Sequence, residues 1–354
     1  MTKLGMNRRN FLSATGGAVA APFIITRADA ADPRELRIFT PGGTWKDRLA
    51  KYFFEPFFKE HNITADWKVG EGPEPLIVAQ RRRPQWDLVQ SNSSRAPQMG
   101  AIGLYRRWDK EIVPSIEKIH PAFRSDYLAG HLHTPYGISF NSKQIKKPIQ
   151  SWQDLWDPEF KGKVGFPTWP WVGKEVFYAI NQVFGGTVDN IDPGIKKMRE
   201  LVKTNECKII ANIEQCRQLL QAGEILICPN YAGRSNEFAK AGIPVDFVMP
   251  KEGGLTWSWN VALVANRPEE NMALSAAFVD TTLDAERQIE FARASNYPPT
   301  NIEAMKNLPK DLQHLKMSME DIEGLTKLQN PDDAMAQFML RDQHTERWNK
   351  DVLG

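Results

Sequence analysis

Apolar residues along this chain recur either at every second position or at every third to fourth. The first spacing marks strands and the second marks helices. Short runs over 35–40, 63–69 and 87–90 read as strands. Between them, Trp45, Leu49, Phe53 and Phe57 fall on one helical face, predicting a helix over 44–60 with Thr44 as its cap. A second helix is expected around 76–82, and a third is capped by Ser93 or Ser94. Alternating strand and helix predicts a parallel α/β sheet. After a strand over 136–140 the alternation resumes, with helices over 152–160, 175–184, 193–203, 213–222 and 235–241. Strands are expected over 163–167, 208–212, 225–229 and 245–249. An extended segment over 256–265 carries Trp257, Trp259, Val261 and Leu263 at period two. A long helix follows Pro268 to about 294, and the charged stretch over 317–352 reads as mostly helical. The order implies two lobes, with the chain crossing near 140 and 262 to make a two-strand hinge.

The first thirty residues have a different pattern. The pair Arg8-Arg9, then Phe11 and Leu12, precedes an apolar stretch to Ile25 that Gly16, Gly17 and Pro22 interrupt. Ala28-Asp29-Ala30 is a small-x-small cleavage site. This is the layout of a secretory signal, and the arginine pair points to the twin-arginine route into the periplasm. The stretch is shorter than the ~20 residues a spanning helix needs. Domains are therefore expected as a signal at 1–30, lobe one at 31–140 plus 263–354, and lobe two at 141–262.

Cleavage changes the charge. Lys3, Arg8, Arg9, Arg27 and Asp29 all precede Ala31, so the 45 basic and 43 acidic residues become 41 and 42. A near-neutral chain offers no broad field for nucleic acid. Cys207, Cys216 and Cys228 match no zinc spacing, and the sequence leaves open whether two of them form a disulfide. His131 and His133, with His120 nearby, are the histidines that a metal receptor would use, but no carboxylate stands at ligand spacing. Nucleophilic catalysis needs a Ser or Cys beside a base. The chain has no Gly-x-Ser-x-Gly, so no enzyme, cofactor or catalytic residue is expected.

Ligands of open α/β sheets sit beyond the carboxyl ends of the strands. That selects Gly43, Thr44 and Trp45, then Ser93, Ser94 and Arg95, then Trp169, Trp171 and Glu175. It also selects Tyr231, Arg234, Trp257 and Trp259. Gly43 and Thr44 open a helix whose N–H groups favour an anion, whereas tryptophan faces attract ammonium groups. Capping accounts equally for the first pair, and core packing for the tryptophans.

Several segments resemble family-1 extracellular solute-binding proteins of ABC importers. They are Ser151-Trp152-Gln153-Asp154-Leu155-Trp156-Asp157-Pro158-Glu159-Phe160-Lys161-Gly162-Lys163, Pro250-Lys251-Glu252-Gly253-Gly254 and Asn296-Tyr297-Pro298-Pro299-Thr300-Asn301, in family order, with Trp86-Asp87-Leu88-Val89 and Tyr136-Gly137-Ile138. The chain is most similar to the spermidine/putrescine-receptor branch. The resemblance implies a two-lobe, type II periplasmic binding fold with mixed sheets flanked by helices. It also implies a monomer that delivers a small organic ligand to a permease and ATPase of the inner membrane. Glu175 matches that branch's ligand carboxylate, Trp257 its aromatic and Tyr297 its contact tyrosine. The chain departs from the branch at Trp259, where an aspartate is usual, and at Ser93 and Ser94, where tyrosines are usual. A polycation needs a carboxylate near each buried ammonium. The departures therefore favour a ligand with one cationic amine, polyamine-like, betaine-like or amino-acid-derived, its other end facing Gly43, Ser94 or Arg95. A ferric-ion receptor and an enzyme on the same fold are the alternatives.

Overall fold

A computed structural model describes residues 34–70, 73–108, 110–329 and 333–354. The signal read at 1–30 lies outside the described residues.

The strands come in chain order as β1 (Arg34–Thr40), β2 (Ile63–Val69), β3 (Leu88–Asn92), the short pair β4 (Arg124–Ser125) and β5 (Leu128–Ala129), and β6 (Leu132–Asn141). They continue as β7 (Gly165–Pro167), β8 (Lys208–Ile210), β9 (Ile227–Tyr231), β10 (Val245–Val248) and β11 (Leu255–Leu263). The first strands pair in parallel, β2 and β3 flanking β1. Past β3 the pairing reverses, because β11 returns antiparallel beside it. The sheet is therefore mixed, running β10-β6-β11-β3-β1-β2 with β9 also on β6. β7 and β8 form a separate parallel pair.

Two strands join the halves. β11 pairs with β6 from Leu255 to Trp259 and with β3 from Trp259 to Leu263. β6 pairs with β11 from Leu132 to Tyr136, and from there on with β9 and β10. Apolar cores lie on either side of this junction. One gathers Phe39, Ile77, Val89, Met99, Tyr105 and Ala262. The other gathers Trp152, Phe160, Phe166, Phe177, Met198 and Trp348. Each large side chain buried there contributes roughly 1.5–3 kcal/mol.

Local chemistry moved several boundaries. β6 begins four residues earlier than its apolar run suggested, since Pro135 interrupts the pattern without ending the strand. Thr44 is not a cap. The helix starts at Gly43, whose φ of 64° suits glycine, and no side chain caps it. Neither Ser93 nor Ser94 caps the helix Ala96–Ala101. Asn92 Oδ1 instead accepts from the backbone N–H groups of Ser94 and Arg95, at 3.1 and 3.2 Å. The helix expected from Pro268 to 294 is two, Glu269–Thr282 and Ala285–Ser295. Asp284 starts the second by accepting from Arg287 N at 3.0 Å.

The C-terminal residues also differ from the expected division. Helix Arg341–Trp348 and the turn Asn349–Leu353 were assigned with the first lobe, yet Trp348 and Val352 are buried in the Phe166–Phe177 core. Trp348 stacks on Phe166 at 5.9 Å, and Arg347 reaches Asp192 at 2.9 Å. Just before it, helix Asp333–Met339 packs on helix Ala96–Ala101 of the other half, where Gln98 Nε2 donates to Ala334 O.

Candidate functional site

A cavity of about 570 Å³ opens between the two sets of elements. Ser93, Ser94 and Pro97 line it from the segment after β3, and Phe123, Arg124, Ser125 and Leu128 from the β4–β5 hairpin. Glu175 and Tyr178 enter from the facing helix Lys174–Val183, one turn apart on the same side. Thr256 and Ser258 of β11 form its floor. Residues from Thr326 to Gln329, with Ala334 and Gln337, complete the wall.

Of the residues expected from sequence, Ser93, Ser94 and Glu175 meet in this cavity. Ser93 is held to the floor, its Oγ accepting from Ser258 N at 3.1 Å. Ser94 Oγ donates to Asn92 Oδ1 at 2.9 Å. The Glu175 carboxylate is 21% exposed, and its cationic neighbour is Lys174 at 3.8 Å.

The aromatic residues divide into two groups. Tyr231 and Trp257 meet edge-on with Tyr136, ring centroids 4.7–5.8 Å apart. Burial first, then the nearby Tyr297 and Glu175, push the Tyr231 phenol up. Trp45, Trp259 and Tyr297 form the second group, with centroids 5.5 and 6.3 Å from Trp45. The buried Trp45 Nε1–H has no protein acceptor. Trp169 and Trp171 go elsewhere. Trp169 packs at a tilt on Trp348, centroids 4.9 Å apart, and donates to Thr345 Oγ1 at 2.9 Å, and Trp171 packs on the apolar cores of the second half.

The remaining expected residues have their own contacts or face water. Gly43 and Thr44 are exposed. Arg95 pairs with Glu74 at 3.5 Å, and Arg234 with Glu237 at 2.5 Å. His131 and His133 are core residues, and the partly buried His120 accepts from Ala122 N at 3.2 Å. His133 stacks on Phe123 at 4.3 Å and His131 meets Phe53 at 5.3 Å, and burial lowers both imidazoles to about 3. Among the described residues no group of three or more His, Cys, Asp or Glu is placed to hold a metal.

Sequence reasoning missed Arg124, Tyr178, Thr256 and Lys327. Two of these carried a signal. Tyr178 follows Glu175 by three helical positions. Thr256 and Ser258 alternate with Trp257 and Trp259, so they occupy the opposite face of the strand. Arg124 and Lys327 carried none, because they reach the cavity through tertiary folding.

A family model described as bacterial extracellular solute-binding protein matches residues 59–316. Among curated proteins, the chain is similar to the spermidine/putrescine-binding periplasmic protein of Salmonella typhimurium. The two are 25% identical over 315 residues, covering 86% of this chain and 88% of the relative. Among solved structures, an ABC transporter protein from Clostridium perfringens superposes with a TM-score of 0.71 at 23% identity, covering 90% of this chain and 99% of the other. A protein solved as the Atu4243-GABA receptor superposes at 0.69 with 24% identity, covering 89% and 96%. These likenesses establish the two-lobe periplasmic binding fold.

Proposed function

Because the chain belongs to the bacterial extracellular solute-binding proteins, we propose that it is the receptor of an ABC importer and captures a small organic solute bearing a cationic amine. In this reading the chain is exported by the twin-arginine route and acts as a periplasmic monomer. It hands its cargo to a permease and ATPase and performs no chemistry on it. The lobes are 31–140 plus 263 onward, and 141–262, with the segment from Arg341 docked on the second. β6 and β11 are the hinge about which they close.

One observation carries the proposal. Glu175 projects a partly exposed carboxylate into a cavity lined from both sides of that hinge, beside the aromatic group of Tyr136, Tyr231 and Trp257. A carboxylate answered, among the described residues, only by a neighbour at 3.8 Å has lone pairs left for an ammonium group. The volume lies within the ~300–1,000 Å³ of small-molecule sites. The curated relative is named for spermidine and putrescine, and one structural neighbour for GABA. An amine is common to all three ligands.

Calorimetry of the exported protein against spermidine, putrescine, betaines and amino-acid derivatives tests this. At least one amine is expected to bind, and Glu175→Gln to weaken it by about 10- to 100-fold, the value of a lost charged hydrogen bond. Full-strength binding by the variant would overturn the assignment.

A further inference from the structure

The cavity is unevenly charged. Its ionisable lining residues, the tyrosine aside, are one acid, Glu175, and two bases, Arg124 and Lys327. Glu74 is engaged by Arg95 at 3.5 Å and Glu237 by Arg234 at 2.5 Å, whereas Glu175 keeps only the loose contact with Lys174 at 3.8 Å and can answer one ammonium group. The two bases are less well matched. Arg124 donates to Ile116 O at 3.1 Å, and its one ion pair among the described residues is with the largely exposed Glu117 at 3.9 Å. Lys327 has no ion-pair or hydrogen-bond partner among the described residues. A ligand with two or three ammonium groups would add positive charge to a site with a positive surplus, and an unmatched charge is costly to bury. A ligand that brings one amine and one anion leaves each charge facing its opposite.

We propose that the solute is amphoteric, with its amine at Glu175 and its carboxylate or phosphonate between Arg124 and Lys327. This rests on the amine-capture reading above and specifies the other end of the same ligand. The guanidinium suits the role, since its planar fork matches two oxygens of a carboxylate or phosphonate, while a lysine adds a mobile point charge. Thr256, Ser258 and Ser125 supply hydroxyl groups along the span between the ends. Arg124 comes from the β4–β5 hairpin and Lys327 from the segment after helix Met319–Thr326. An anion joining them would therefore tie the C-terminal wall to the first half.

Titration of the exported protein with 4-aminobutanoate, 2-aminoethylphosphonate, 4-aminobutanamide, butanoate and spermidine tests this. One or both amphoteric acids are expected to bind about tenfold or more tighter than the amide and spermidine. Arg124→Gln and Lys327→Gln should each cost about tenfold toward the acids and less than about twofold toward the amide, the loss of one charge-assisted contact. Melting curves establish that both variants fold. Carboxylate and phosphonate sources are separated by which of the two acids binds. If the amide or spermidine matches the acids, the anion seat is overturned and amine capture stands. If butanoate matches 4-aminobutanoate, amine capture falls. Binding by none of the five overturns both.

Discussion

Two carboxylates in this molecule have opposite surroundings. Asp87, whose side chain is 1% exposed, accepts from Arg37 N at 2.8 Å, Arg267 Nε at 2.7 Å and Asn271 Nδ2 at 3.0 Å. Glu175, 21% exposed, meets one lysine at 3.8 Å. The first is saturated and ties β1, the start of β3 and helix Glu269–Thr282 together. The second is left open at a cavity wall. A charge whose partners are all internal belongs to the scaffold, and one whose partners are incomplete is available to a ligand.

Removing one partner of a buried pair typically costs ~3–5 kcal/mol. Asp87→Ala should therefore lower unfolding free energy by about that much in denaturant titrations, while the folded fraction binds ligand normally. A large affinity loss in stable protein would break the contrast. The next effect concerns buried groups kept neutral. His131 and His133 sit near pKa 3 folded against 6.5 in the unfolded chain. Below pH 6.5 the unfolded chain takes up protons that the native state refuses, so stability is full above 6.5 and falls toward 3. Between pH 7 and 5.5 the pair should cost roughly 2–3 kcal/mol, visible as a falling melting temperature. An unchanged melt across that interval would contradict the buried neutral state. Glu175→Gln should leave unfolding within about 0.5 kcal/mol of the parent, since its partner is a loose, partly solvated lysine. Thr256→Val on the floor should cost about 1 kcal/mol of affinity, read by calorimetry.

Much of the fold could be read from apolar spacing, because β2 alternates apolar and polar residues throughout and β1 and β11 do so over most of their length. The start of β6 could not. Pro135 disrupts the local signal, and pairing along β11, with Pro135 opposite Thr256, carries the strand through it. The Ser93–Ser94 cap was misread for a related reason: Asn92, one residue earlier, competes for the same N–H groups and wins. Within the site, Glu175 and the serines lie beside recognisable strand ends. Thr256 is less conspicuous in the sequence than the tryptophans beside it, yet the polar face of the same strand lines the cavity. Arg124 and Lys327 lie about two hundred residues apart in a hairpin and a charged tail, and no periodicity links such segments.

Trp348 has a consequence for timing. It fills the core around Phe166 and Phe177, residues that leave the ribosome far earlier. That core stays incomplete until the segment from Arg341 is made, so a nascent chain has a long interval in which its second half is assembled but unsealed. Whatever escorts the newborn protein has that interval in which to recognise it.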